Sequence, residues 1–205
     1  MEGYVTVKGR ASFEYEDRKS VFIGDIMPVT TEAEALCFIE SVKKTYPDAR
    51  HHVYAYVLRE NSIMRFTDDR EPQGTAGMPV LDSIRKNGLT DTVIVVTRYF
   101  GGTLLGTGGL VRAYSAAALG AIEASGISRY DLYNEIKVYA SYSDYQKIQP
   151  IFAESDFRVT DVNYGERVVV FGKILNSEHE AFLDKLVQAT SARVEFEVFD
   201  AIFDC

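Results

Sequence analysis

The sequence predicts an α+β fold in two domains, residues 1–130 and residues 131–205. Three observations support this prediction. Of the 205 residues, 46% are hydrophobic, which is enough for one large core or two smaller ones. Segments with strand and helix periodicity alternate along the chain, and after Gly126 the pattern starts again in the order βαββαβ. Acidic and basic residues number 16 and 15 in the first domain but 14 and 7 in the second, so the two halves differ in charge.

The first domain begins with two strands and a helix. Residues 4–15 and 18–29 alternate apolar and polar side chains, which predicts two strands joined as a hairpin near Asp17. Thr31 and Glu34 form a capping box, because their side chains can accept backbone N–H groups at a helix start. Apolar residues then recur at helical spacing, and we place Cys37 on the apolar face of this helix.

The rest of the first domain contains three strands and two helices. Short strands are expected at residues 53–58 and 63–66, followed by a turn-rich stretch and a helix at residues 78–86, with Thr75 where an N-cap is wanted. Residues 92–97 are Thr, Val or Ile throughout, which predicts a central strand buried on both faces. A Gly-rich segment then leads into an Ala-rich helix at residues 110–125.

The second domain is predicted to be ferredoxin-like. Its periodicity indicates, in order, a strand, a helix, two strands, a helix and a strand, at residues 135–140, 143–155, 158–164, 167–175, 177–190 and 193–199. Ser177 and Glu180 form a second capping box at the start of the last helix. Its tyrosines Tyr139, Tyr142, Tyr145 and Tyr164 are either a stacking platform for single-stranded RNA or ordinary core and surface residues. The acidic charge of this domain favours the second interpretation.

Composition limits the function classes. The sequence has no apolar run long enough to span a bilayer and no signal-peptide pattern at its start, so we expect a cytoplasmic protein without a membrane partner. Two cysteines and three histidines are too few for a disulfide framework or a zinc site. We therefore expect reduced thiols, no metal and no cofactor.

The first candidate site is Gly-rich and lies between the buried strand and the Ala-rich helix. Backbone amides at a helix start favour an anion, and glycine lets a phosphate approach the backbone closely. A hydroxyl and two guanidinium groups can add donors there. The alternative is that the glycines only allow a tight turn and close packing. The residues concerned are Arg98, Gly101, Gly102, Gly106, Thr107, Gly108, Gly109 and Arg112.

The second candidate site is acidic. Grouped carboxylates can bind a hard cation or act as acid and base, but they are also common in solvated turns, and Arg70 among them can neutralise one. His51 precedes a strand, where one imidazole of the His51-His52 pair can face a shared cleft. The supporting cluster is Asp68, Asp69, Glu71, Gly74, Thr75 and His51.

Both motif blocks, residues 68–77 and 98–114, closely resemble those of the YigZ/IMPACT family, and the resemblance extends over the whole chain. It implies a first domain of the ribosomal protein S5 domain 2-like type, with a left-handed βαβ crossover, and a ferredoxin-like second domain similar to domain V of elongation factor G. The family usually has Gly where this chain has Arg70. The turn there therefore either does not need a positive φ or takes another shape here.

The resemblance implies a role in translation, since eukaryotic members compete for the activator of a kinase that senses uncharged tRNA and associate with ribosomes. We expect a non-enzymatic regulator that binds the ribosome, RNA or a translation-associated protein through Arg98, Arg112 and the glycines, with the carboxylates orienting the arginines. The alternative is an enzyme acting on a phosphorylated or carboxylated small molecule, with Asp68, Asp69, Glu71 and His51 as its reactive groups.

Overall fold

The structure, a computed structural model, describes residues 3–204. It confirms the α+β fold and divides the chain into two compact units. The N-terminal unit is Tyr4–Arg129, and the C-terminal unit begins at Tyr130. No helix within residues 3–204 combines the length and the apolarity that a membrane span requires.

The N-terminal unit contains a five-stranded antiparallel sheet in the order β2-β3-β6-β4-β5. The strands of this unit are β1 (Tyr4–Val7), which lies outside that sheet, and the five strands of the sheet, β2 (Ala11–Asp17), β3 (Ser20–Pro28), β4 (His51–Leu58), β5 (Ile63–Thr67) and β6 (Thr92–Tyr99). Its helices are α1 (Glu32–Thr45), α2 (Gly77–Lys86) and α3 (Gly106–Ser125), with a short 3₁₀ turn at Glu60–Ser62.

The central strand β6 separates two apolar cores, as its sequence predicts. Ile94 and Val96 point toward α2 and α3, whereas Val93 and Val95 point toward α1. All four side chains are fully buried because helices cover both faces of the sheet.

The capping box that begins α1 is confirmed by both of its hydrogen bonds. Cys37, in contrast, is exposed, so its predicted place on the apolar face of α1 is wrong.

The predicted first strand is two strands. β1 ends at Val7 and β2 begins at Ala11, and between them the Lys8 N–H donates to the Gly126 carbonyl. The hairpin between β2 and β3 turns at Arg18 and Lys19, whose φ angles of 47° and 65° are both left-handed. Positive φ at both central residues is the geometry that matches the twist of a two-residue hairpin. Alternation alone does not show where a strand is interrupted by contacts with distant segments.

The C-terminal unit has the predicted βαββαβ order, with one further strand. Its elements are β7 (Ile127–Ala140), α4 (Tyr142–Glu154), β8 (Arg158–Tyr164), β9 (Val168–Leu175), α5 (His179–Thr190), β10 (Glu195–Val198) and β11 (Ile202–Asp204). β9, β10 and β11 all pair antiparallel with β7, and β8 pairs with β9. The predicted capping box of α5 is wrong, because the N-cap is Glu178 and has no side-chain bond to the helix.

A buried carboxylate lies beneath α1. Asp25 on β3 is 4% exposed, and its Oδ2 has no hydrogen-bond partner within the described residues. The Thr97 hydroxyl on the neighbouring strand β6 is also buried without such a partner. Burial raises the pKa of Asp25, and a hydrogen bond that its carboxylate accepts from the Ser12 hydroxyl, together with the charge of Arg10, offsets only part of that effect. The ionised form of Asp25 therefore destabilises the folded state relative to the neutral form.

Asp25→Asn is expected to stabilise the protein in a pH-dependent way. The folded-state pKa of Asp25 is raised, so its stability contribution is lost as pH rises from the unfolded-state pKa through the folded-state pKa. The amide carries no charge and avoids this loss. Urea unfolding of both proteins should therefore show a larger gain in unfolding free energy for the variant at pH 7.5 than at pH 4. A gain of the same size at both pH values would contradict the argument.

Candidate functional site

Both candidate motifs meet at one end of the N-terminal sheet. There β3 and β4 begin and β6 ends, and the register places Arg98 between Phe22 on one neighbour and His51 on the other. The acidic block follows β5 and the Gly-rich segment follows β6. We call this region the loop end of the sheet and define it by residues 18–22, 50–52, 68–77 and 98–112.

A buried charge pair lies at the centre of the loop end. Arg98 Nη1 donates to Glu71 Oε1 at 2.6 Å, and the side chains are 7% and 5% exposed. The Tyr114 hydroxyl on α3 donates to the same oxygen at 2.8 Å. Burial and the neighbouring carboxylate raise the pKa of Tyr114 far above its usual value, so the phenol stays a donor. Arg98 is therefore a buried residue that is already paired with Glu71.

Arg98 also retains a free donor. Its Nε is buried and has no hydrogen-bond partner within the described residues. Its guanidinium lies 5.4 Å from the ring centroid of Phe22 and 5.6 Å from that of Phe100. An unsatisfied buried donor on a charged group is costly, and such exceptions call for an explanation.

Asp68 holds the start of α2. Its carboxylate accepts the backbone N–H groups of Gly74, Ala76 and Gly77 at 2.8 to 3.1 Å. Thr75 was expected to cap this helix, but its hydroxyl donates to the Pro72 carbonyl instead. Asp68 lies nine residues before Gly77, the first residue of α2. A residue that caps a helix normally stands directly before it in the sequence, so the spacing of Asp68 does not predict this role.

Asp69 connects the acidic block to β4. Its Oδ2 accepts the His52 N–H at 2.6 Å, and its carbonyl accepts from His51 Nδ1 at 2.8 Å. His51 therefore lies at the loop end, whereas the His52 ring lies on the α1 side, where Nε2 donates to the Tyr46 carbonyl. Each carboxylate of the block thus accepts hydrogen bonds from the protein itself.

The turn at Arg70 keeps a positive φ without glycine. Asp69 and Arg70 have φ angles of 40° and 70°, which is the left-handed region. The Arg70 guanidinium donates to the Arg50 carbonyl at 2.8 Å and lies 3.6 Å from Asp69 Oδ1. The turn therefore does need a positive φ, and arginine adopts it at some cost in strain.

Packing or backbone angle explains four of the five glycines in the Gly-rich segment. A Cβ on Gly101 would overlap the backbone of Lys19 and Ser20, and one on Gly109 would press on Leu105. Gly102 and Gly106 have φ angles of 85° and 70°. Gly108 is different, because its φ is ordinary and a Cβ would meet only one arginine nitrogen at 3.7 Å.

The N-terminus of α3 is open. The helix begins at Gly106, four residues earlier than expected, and its N-cap Leu105 has no side-chain bond to the helix. Gly106, Thr107 and Gly108 are exposed. The first N–H groups of a helix have no partner in the helix itself, so these amides and the helix dipole favour an anion.

Five exposed cations lie on the segments of the loop end, and we call them the cationic rim: Arg18, Lys19, Arg50, Arg70 and Arg112. Gly101 donates its N–H to Ser20 Oγ and so joins the Gly-rich segment to the turn at Arg18 and Lys19. Arg112 lies one helical turn after Gly108. The loop end is therefore locally basic within a chain of net charge −8.

The tyrosines of the C-terminal unit do not share one face. The Tyr139 hydroxyl donates to Glu197, and Arg167 lies 4.2 Å from its ring centroid. Tyr145 and Tyr164 contact each other edge to face, and Tyr145 packs against the apolar core beneath the helices. The Tyr142 hydroxyl donates to the Gly165 carbonyl, so Tyr142 lies near Tyr164. Tyr139, in contrast, alternates with the core residues Val138 and Ala140 and points to the other face of the sheet. The four side chains therefore form no single stacking platform.

Comparison with known proteins identifies relatives over nearly the whole chain. Residues 18–122 match the family model of the Impact N-terminal domain. Residues 138–193 match the family model of a domain of unknown function, DUF1949. The IMPACT family member YvyE of Bacillus subtilis is 36% identical over 96% of this chain and 91% of its own length. The IMPACT family member YigZ of Escherichia coli is 32% identical over 95% of this chain and 89% of its own length. The crystal structure of a hypothetical protein, 29% identical, covers 98% of both chains with a TM-score of 0.62.

Arg98→Ala is expected to destabilise the protein by roughly 3 to 5 kcal/mol, because it leaves the Glu71 carboxylate buried without a counter-charge. Arg98→Met combined with Glu71→Leu removes both charges and should recover much of this loss. Chemical denaturation of the wild type and both variants checks the prediction. If the double variant were as unstable as Arg98→Ala, then packing, and not charge pairing, would be the main role of Arg98.

Proposed function

The chain belongs to the IMPACT family, and from that premise we propose that it is a non-enzymatic cytoplasmic regulator of translation that binds RNA phosphate on the ribosome. The proposed site is the N-terminus of α3 together with the cationic rim. The translation link rests on the family resemblance. The RNA link rests on the chemistry of the loop end.

The observation that carries the proposal is the meeting of two anion-binding features. Exposed backbone amides at the start of α3 lie beside Arg112, and the turn at Lys19 is joined to the same segment through Ser20. Phosphate binding releases counterions and depends on local cations, so a net acidic charge elsewhere does not prevent it. Lys19 and Arg112 have no ion pair within the described residues, so their charges are available to a phosphate.

The structure gives the small-molecule enzyme no comparable support. Asp68 accepts the amides that begin α2, Asp69 accepts an amide of β4, and Glu71 accepts from Arg98 and Tyr114. A general acid or base must exchange protons with substrate, and these carboxylates already bind protein donors. We therefore carry only the RNA-binding proposal forward.

Reversing two charges of the rim should abolish most ribosome binding. The variant Lys19→Glu/Arg112→Glu removes two phosphate contacts and adds repulsion, so we expect binding about tenfold weaker or worse. The measurement is co-sedimentation of the full chain with ribosomes and separated subunits at several salt concentrations. A matched control, Arg65→Glu/Lys86→Glu, makes the same change in net charge at exposed residues outside the loop end.

The control should keep wild-type binding, and wild-type binding should weaken as salt rises. In a plot of the logarithm of the binding constant against the logarithm of the salt concentration, the slope for the rim variant should be shallower than that of the wild type by about 1 to 2. Equal losses in the two variants would mean that only net charge matters. Failure of the wild type to sediment with any ribosomal fraction would overturn the proposed function.

Gly108→Ala should separate binding from stability. Glycine within a helix costs up to about 1 kcal/mol relative to alanine, and neither φ nor packing requires it here. The variant should therefore be slightly more stable in thermal unfolding, yet bind ribosomes several-fold more weakly, because the methyl group stands where a phosphate would approach the amides. Unchanged binding would show that Gly108 lies outside the contact.

A further inference from the structure

We infer that the loop end recognises an unpaired nucleotide, whose base stacks on Phe100 while its neighbouring phosphates contact the α3 amides and the cationic rim. This inference rests on the proposed function and names the form of RNA that the site takes.

Phe100 is an exposed aromatic ring in the middle of a charged region. Its side chain is 53% exposed although it directly follows the buried strand β6. Single-stranded nucleic acids bind proteins through this combination of aromatic rings and cations.

One face of the ring is already held by the protein. The guanidinium of Arg98 lies over the ring of Phe100 at 5.6 Å from its centroid, and the buried salt bridge to Glu71 fixes that guanidinium. The ring is therefore oriented before any ligand binds, which lowers the entropic cost of binding. The other face of the Phe100 ring is the one on which a nucleotide base would stack.

The buried Arg98 Nε is the second observation that points to a ligand. It has no hydrogen-bond partner within the described residues, although Arg98 is only 7% exposed and lies against Phe100. Bases, sugars and phosphates carry acceptors, and one that reaches around the edge of the Phe100 ring to its Arg98 side would satisfy this donor.

The stacking position and the phosphate position are close along the chain. Gly106 is the sixth residue after Phe100, so their Cα atoms lie at most roughly 20 Å apart. This limit corresponds to a few nucleotides of extended strand. Gly101 and Gly102 carry no side chains, and a Cβ on Gly102 would meet no atom within 4 Å, so the space beside Gly102 is open.

A further exposed apolar side chain extends the same surface. Leu104 is 81% exposed and lies between Gly102 and the start of α3. An RNA duplex offers phosphates and hydroxyls but hides the faces of its bases, so it would use neither Phe100 nor Leu104. The exposed apolar groups therefore favour an unpaired strand over a duplex.

The test measures binding of the full chain to a labelled 12-nucleotide RNA without self-complementarity, and to the same RNA annealed to its complement, by fluorescence anisotropy. We expect the wild type to prefer the single strand. Phe100→Ala should bind the single strand about tenfold more weakly and the duplex unchanged, whereas Phe100→Tyr should keep the preference. Phe199→Ala in the C-terminal unit is the control, because Phe199 is exposed to a similar extent, 48%.

The outcomes separate this inference from the proposed function. If Lys19→Glu/Arg112→Glu weakens RNA binding and Phe100→Ala does not, the inference is overturned and the phosphate site stands. Equal wild-type affinity for single strand and duplex overturns it as well, as does an equal loss in Phe199→Ala. If the wild type binds neither RNA nor ribosomes, the proposed function itself fails. Thermal unfolding of each variant shows that the losses do not come from misfolding.

Discussion

The loop end of the N-terminal sheet depends on one buried carboxylate. Glu71 accepts hydrogen bonds from Arg98 on β6 and from Tyr114 on α3, and so joins the loop after β5 to the central strand and to the longest helix. Two charges withdrawn from water are stable only when the geometry of the pair is good. The interaction therefore holds the acidic loop in one place, and the positions of Asp68, Asp69 and Arg70 follow from it. In turn Asp68 positions the start of α2, and Asp69 positions the start of β4.

Backbone strain is concentrated in the same region. Four of the eight described residues that have left-handed φ angles without being glycine lie here: Arg18, Lys19, Asp69 and Arg70. Strained conformations of this kind persist only where surrounding contacts impose them, and they are common at functional sites. Here the contacts are identifiable: the hairpin register fixes the turn at Arg18, and the hydrogen bond from Arg70 to the Arg50 carbonyl fixes the other turn. The result is a rigid frame around the exposed start of α3.

The charge of the whole chain and the charge of this frame have opposite signs. At physiological salt, charges separated by more than roughly 8 to 10 Å are largely screened, so a ligand senses mainly the groups close to it. Around the loop end the carboxylates are turned inward to amides and to Arg98, whereas the side chains of Arg18, Lys19, Arg50 and Arg112 are exposed. The carboxylates that position the loops thus point inward, and the exposed charges of the loop end are mainly cationic. The arrangement reconciles the acidic net charge of the chain with the anion-binding site that we propose.

Local patterns along the chain predict the fold class, the βαββαβ order of the C-terminal unit, the buried central strand and the two motif blocks, because each rests on periodicity or on adjacent residues. They do not show that Asp68 caps α2, that Arg98 is buried, or that a strand ends at Val7. These features depend on partners that are distant in the chain: Glu71 lies 27 residues before Arg98, and Tyr114 lies 43 residues after Glu71. Only the tertiary structure decides which carboxylate meets which donor, because hydrogen bonds and buried charges are satisfied by proximity in space and leave no periodic trace in the sequence.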